Sequence, residues 1–265
     1  MTWRAALPMY NVSARLREGY NALLEVLLVE ADVTAAVELV DDPGALLDFW
    51  RRPDLLVSQT CGYPYLVALR CHATLVATPC FDVPGCAGSD YSSVLVARAG
   101  SGIRTLEDAR GKVAAVNERH SNSGMNALRH AVAPLARDGR FFGAIEWSGS
   151  HAASVRMVRE GVADVAAIDC VTHAYLQQED PAALAGLVVL GFTAASPGLP
   201  LIAGSAVPHS LVRQLRSALL DPGPRLREAM SGLRIRGFAH RGVSDYARIA
   251  GLERDAAHHG YAELR

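Results

Sequence analysis

Little in this sequence is extreme, and each thing it lacks removes a class of function. There is no excess of charge: 26 Lys and Arg against 27 Asp and Glu leave a formal net charge of −1. A nucleic-acid partner would favour a basic face, and no Lys/Arg cluster here rises above a solvated helix face. Long hydrophobic runs are missing, because no stretch approaches the ~18 apolar residues of a membrane span. The opening segment MTWRAALPMYN has no basic stretch leading into an apolar run, so it does not read as a secretory signal. Taken literally that makes the chain cytoplasmic; the alternative is a trimmed leader or a misplaced start. Cysteine is scarce and odd in number: Cys61, Cys71, Cys80, Cys86 and Cys170 do not make a disulfide scaffold. Cys80 and Cys86 flank a Pro-Gly turn and could be bridged in an oxidising compartment, although buried free thiols are the preferred reading. Without a C-x-x-C, a structural zinc site is not expected. A G-x-S-x-G elbow, a P-loop and an H-E-x-x-H are absent too, so no cofactor or metal is implied.

What is present is an alternation. In 265 residues, half of them hydrophobic, short apolar runs alternate with amphipathic segments, the pattern of an α/β fold with a real core. Strands are expected at Trp3–Leu7, Leu55–Val57, Ala73–Thr78, Tyr91–Ala97, Lys112–Val116, Ala144–Trp147, Val165–Ile168 and Leu187–Thr193. Asn11 is the expected cap of a long first helix, and Asp42-Pro43 the opening of a short one ending near Trp50. Later helices follow Ser121, Ser150, Pro208 and Ser244. Pro79–Asp90, rich in Gly, Pro and Cys, reads as irregular.

Three constellations stand at strand-to-helix turns, which in open α/β sheets line the crevice at the carboxyl ends of the strands. In the first, Asn117-Glu118-Arg119-His120-Ser121-Asn122-Ser123-Gly124 lies between a strand and a helix. Unpaired N–H groups and the partial positive charge of a helix start, joined by serine hydroxyls, suit a phosphate-like oxyanion; an ordinary N-cap would use the same residues. The second, Ser148-Gly149-Ser150-His151, adds hydroxyls and an imidazole. The third ends in Asp169, a carboxylate that would accept a proton or an ammonium group from a ligand, or would simply cap the helix starting at Cys170.

The ordered series Tyr91-Ser92-Ser93, Thr105-Leu106-Glu107-Asp108 with Gly111-Lys112, Ser121-Asn122-Ser123-Gly124, Ser148-Gly149-Ser150-His151 and Gly161-x-Ala163-Asp164 resembles the phosphate/phosphite/phosphonate substrate-binding proteins of ABC transporters. The resemblance runs from Leu7 to about Pro200. It implies a type II periplasmic-binding-protein fold: two lobes, each a central mixed sheet flanked by helices, joined by a two-strand hinge. One lobe would hold residues 1–93 and 194–265, the other 94–193. It also implies a periplasmic location, a permease as partner if the chain is exported, and a small anionic ligand in the cleft between the lobes. Ser121, Ser123 and His151 would hold the oxyanion. Asn122 stands where the family often has Thr. Tyr91 would flank the cleft, and Asp169 would take a ligand proton or amine. Gln59, Thr60 and Tyr10, which follow strand ends, are the first lobe's candidates. A cytoplasmic enzyme on the same fold, like the menaquinone-pathway enzymes that act on carboxylated small molecules, is the rival reading, with Asp169 and His151 as an acid/base pair; a ligand sensor is a third.

Overall fold

Two large sheets organise the chain. The computed structural model describes residues 2–265. They divide into a first unit (residues up to Asp82, Ala87–Asp90 and Pro197–Tyr246) and a second (Val83–Cys86, Tyr91–Ser196 and Ala247–Arg265).

The first unit's sheet has six strands, in the order Ile235–Ala239, Ala73–Phe81, Leu201–Gly204, Leu55–Gln59, Trp3–Ala6, Val37–Leu39. Trp3–Ala6 runs parallel to both of its neighbours, whereas Leu201–Gly204 is antiparallel to both of its own. The first helix, Ala14–Glu30, buries Leu16, Tyr20, Leu23, Leu24 and Leu27, the apolar stripe its sequence carries. Its cap is Ser13, whose Oγ accepts from Leu16 N, and not the expected Asn11. The short helix Leu46–Trp50 likewise begins after Ala45, later than Asp42-Pro43 suggested. Glu30, at the far end of the first helix, accepts from the backbone N–H groups of Gly223 (2.8 Å) and Leu226 (3.1 Å). It thereby caps the helix Pro224–Gly232, whose own cap residue is a side-chain-less glycine.

Close backbone approach in this unit yields a prediction. A Cβ on Gly204 would lie 2.3 Å from the Arg52 carbonyl oxygen and 2.8 Å from that of Pro53, both main-chain atoms that cannot swing aside. Gly204→Ala should destabilise by about 1–3 kcal/mol through overpacking. Gly237→Ala, in a strand position with nothing within 4 Å of the added methyl, is the control. Thermal melts should separate the two by several degrees; coincident melts would show that the Arg52–Pro53 segment yields.

The second unit's sheet has five strands, in the order Leu187–Phe192, Ser93–Arg98, Val165–Asp169, Val113–Val116, Ala144–Trp147. The last three are mutually parallel, so their carboxyl ends share one edge. Ser93–Arg98 runs antiparallel to both of its neighbours. The core gathers Leu95, Val116, Leu128, Phe141, Val165 and others, and also Ala256 and Tyr261. That corrects the expected division, which gave all of 194–265 to the first lobe. Ala247–Arg265 joins the second unit because Ala256 and Tyr261 fill its core and Arg129 Nη1 donates to Ala262 O at 2.8 Å. Among the described residues no helix is long and apolar enough to cross a membrane.

Candidate functional site

The shared carboxyl edge of the three parallel strands in the second unit carries the hydroxyl-rich turns. After Val113–Val116 the chain reaches Ser121, whose extended backbone (φ −86°, ψ 131°) and Oγ, accepting from Gly124 N at 3.0 Å, open a helical run. The first turn, Asn122–Asn126, is a wide π-turn closed by Asn126 N to Ser121 O at 3.1 Å, and an α-helix follows over Ala127–Val132. Such π-turns recur at functional sites. Ser121, Asn122 and Ser123 are all buried.

His151 meets this turn from the next strand-to-helix connection. It is the first residue of the helix His151–Glu160, capped by Ser150 Oγ, which accepts from Ala153 N at 3.1 Å. Its Nε2 lies 2.8 Å from Ser123 Oγ. Burial pushes the imidazole's pKa down to about 4, and the nearby Ala167 carbonyl pulls weakly the other way, so the ring is neutral at neutral pH. Nδ1 finds no well-formed hydrogen bond among the described residues. Gly124 is what permits this packing: a Cβ there would fall 1.9 Å from Asn117 Oδ1 and 3.2 Å from His151 Cε1. The remaining hydroxyls of the second turn are engaged locally, with Ser148 Oγ 2.6 Å from Ser154 Oγ.

Asn122 and Tyr91 are also brought together. Asn122 Nδ2 donates to the Tyr91 hydroxyl (3.1 Å) and to Ser196 Oγ (2.8 Å), while its Oδ1 accepts from Asn126 Nδ2 (3.1 Å). With both amide protons engaged, Asn122 acts as a tie that orients Tyr91. Ser93 Oγ donates to Ser123 O at 2.9 Å and fixes the turn from the neighbouring strand. Asp169 lies opposite Ser93 in the sheet register, and its Oδ1 accepts from Val171 N (2.8 Å) and Thr172 N (3.2 Å), so it does cap the following helix. Sequence reasoning did not single out Ser93, Ser196 or Asn126 as candidate site residues. Asn117 Oδ1 is buried with no hydrogen-bond partner among the described residues. Above the site's loop, the Arg119 guanidinium stacks 4.5 Å from the Trp147 ring centre.

Gln59, Thr60 and Tyr10 belong to the first unit. Gln59 and Thr60 are buried at the end of the Leu55–Gln59 strand, where Gln59 Nε2 donates to Leu199 O (3.3 Å) and Thr60 N to Pro200 O (3.1 Å). Gln59 Oε1 is buried without a hydrogen-bond partner among the described residues. Tyr10 packs into an aromatic cluster, 6.4 Å from Tyr20 and edge-on to Phe81 at 5.4 Å. Among the described residues no group of three or more His, Cys, Asp and Glu could hold a metal ion.

The fold has known counterparts. A family model described as "ABC transporter, phosphonate, periplasmic substrate-binding protein" matches residues 5–246. The PhnD1 protein of Prochlorococcus marinus, solved with methylphosphonate, superposes with a TM-score of 0.78 at 16% identity over 97% of this chain and 98% of that one. The binding-protein component of a phosphonate ABC transporter from Pseudomonas aeruginosa gives a TM-score of 0.73, also at 16% identity, over 98% and 96%. An ancestral arginine-binding protein, bound to arginine, gives 0.59 at 14% identity over 87% and 96%. The fold is therefore the two-lobed mixed α/β fold of periplasmic binding proteins. No curated protein sequence matches the chain.

Proposed function

Because the chain belongs to the family of periplasmic substrate-binding proteins of phosphonate ABC transporters, we propose that it captures a small phosphorus oxyanion, whether phosphonate, phosphite or phosphate, outside the cytoplasm and delivers it to a transporter's permease. The observation that carries this reading is the meeting of Ser121, Ser123 and His151 at one helix start. Ser121 Oγ uses a lone pair on Gly124 N–H and keeps its O–H for an acceptor. Ser123, paired with His151, offers a second hydroxyl beside an imidazole that becomes cationic when an anion arrives. The helix start adds its own partial charge. Tyr91, held by Asn122, supplies a phenol on the same side. Asp169 discriminates in this scheme, accepting the proton that phosphorus oxyanions carry and sulfate does not. Gln59, Thr60 and Tyr10 are proposed as ligand contacts in the first unit, with Gln59 Oε1, which has no hydrogen-bond partner among the described residues, as a hydrogen-bond acceptor.

Catalysis would draw on the same Ser123–His151 pair, since a hydroxyl within reach of an imidazole is how a serine nucleophile is activated. That arrangement also needs a carboxylate to stabilise the imidazolium that forms, and the group acting on this buried ring is the neutral Ala167 carbonyl, so binding is the better-supported reading.

A thermal-shift panel of phosphate, phosphite, methylphosphonate, aminoethylphosphonate, sulfate and simple dicarboxylates tests it. A ligand at ~100 times its dissociation constant adds about 2.7 kcal/mol, which is several degrees in a chain this size. A phosphorus oxyanion should raise the melting temperature, sulfate should not, and Ser123→Ala should remove the shift. Asp169→Asn keeps a capping oxygen, so it should fold and now respond to sulfate. A response to dicarboxylates alone would overturn the assignment.

A further inference from the structure

Outside the oxyanion site the second unit brings two thiols together. Cys86 Sγ lies 3.5 Å from Cys170 Sγ, although 84 positions separate them in the sequence. Cys80, nearer to Cys86 in sequence, belongs instead to the first unit, where it pairs with Gly237 in the sheet. The approach is built into the backbone. Gly85 has φ +93°, and a Cβ there would fall 2.9 Å from Cys170 Cβ and 2.8 Å from the Phe192 ring, so only glycine lets the segment lie this close. Gly85 O accepts from both Ser92 N and Ser92 Oγ at 2.9 Å, and Ser92 O accepts from Cys170 N at 3.2 Å. Both cysteines are thus pinned to the same residue, Ser92.

We propose that Cys86 and Cys170 form a reversible disulfide, an oxidation site that locks the Val83–Cys86 segment onto the start of the helix following Asp169. The two sulfurs are in contact and must close to about 2 Å to bond. The half-buried Cys86 meets the oxidant first, because Cys170 is buried and its thiol is held protonated by Cys86, by burial and by Asp169. With a small-molecule disulfide as oxidant, the Cys86 thiolate attacks one sulfur and expels a thiolate, which takes up the proton Cys86 lost. Cys170 then attacks the Cys86 sulfur of the mixed disulfide, giving up its proton to the second departing thiol. Two protein thiols are oxidised, and one disulfide is reduced to two thiols.

Native protein is incubated with oxidised glutathione, remaining thiols are alkylated, and the chain is cut with chymotrypsin after Phe81 and Tyr91, which separates Cys80 from Cys86. Mass spectrometry should find a peptide pair joined through Cys86 and Cys170, two hydrogens lighter than the reduced pair and dissolved by dithiothreitol. In Cys170→Ser the reaction should stop with glutathione on Cys86. Alkylated Cys86 after oxidation, a Cys80–Cys86 link, or glutathione retained on Cys86 in the unsubstituted protein would each overturn the proposal. The phosphonate panel is independent of this outcome, so failure of one leaves the other standing.

Discussion

Replacing His151 with Gln is expected to flatten the acid side of the stability curve and to abolish anion binding at once. The imidazole's pKa is about 4 in the folded protein and about 6.5 when unfolded. As pH falls, the unfolded chain takes up the proton first. Stability contributed by the buried neutral ring is therefore complete above about pH 6.5 and lost as pH falls to about 4, by up to about 3 kcal/mol. His173, also lowered by burial, adds a smaller slope of the same sign and remains in the variant. A bound oxyanion reverses part of this, because a neighbouring negative charge favours the imidazolium. Melting temperatures across this range, with and without methylphosphonate, should fall steeply for the free protein, less steeply for the complex, and least for His151→Gln, which should also give no ligand shift. Equal slopes for the unsubstituted protein and the variant would show that the ring is not buried neutral.

Arg129→Ala should produce a large loss of stability in the second unit, although the residue is charged. The side chain is buried, donates to Asn126 Oδ1 at 2.7 Å and Ala262 O at 2.8 Å, and stands 3.4 Å from Glu253. Asn126 in turn donates to Asn122 Oδ1 and to Ile249 O. One chain of hydrogen bonds therefore runs from Tyr91, through the candidate site, to the C-terminal segment. Losing two charge-assisted bonds and stranding their acceptors costs about 3 kcal/mol, roughly 6–12 °C in a chain this size. Arg227→Ala removes only an exposed pair with Asp221 and should be nearly silent. If the two variants melt together, the buried network does not hold the tail.

These groups also mark where sequence reading reached its limit. The turns at Ser121 and Ser150 were legible because capping is local: a hydroxyl three residues before a helical N–H is visible in the chain itself. Gly161, at φ +77°, closes the helix His151–Glu160, and a glycine just past a helical stretch is likewise a local signal. The partners Ser93 and Ser196 were not legible, since they meet Ser123 and Asn122 only through sheet register and long-range return of the chain. Leu201–Gly204 and Val37–Leu39 are too short to show a period and are defined by their neighbours. The approach of Cys86 to Cys170 was hidden for the same reason, since 84 positions separate them in the sequence.

That change of unit is made five times, and it sets the order in which the molecule can be completed. The segment up to Tyr246 contains every strand of the first sheet, whereas the second core still lacks Ala256 and Tyr261 at that point. During synthesis from the N-terminus, the half that carries Ser121, Ser123 and His151 begins earlier than the first unit is finished, yet closes after it. Neither half can be expressed as one uninterrupted stretch. Its assembly depends on sequence-distant contacts, the kind that slow folding and leave apolar surface exposed meanwhile. The turns at Ser121 and Ser150 are thus among the last parts of the molecule to gain a finished foundation.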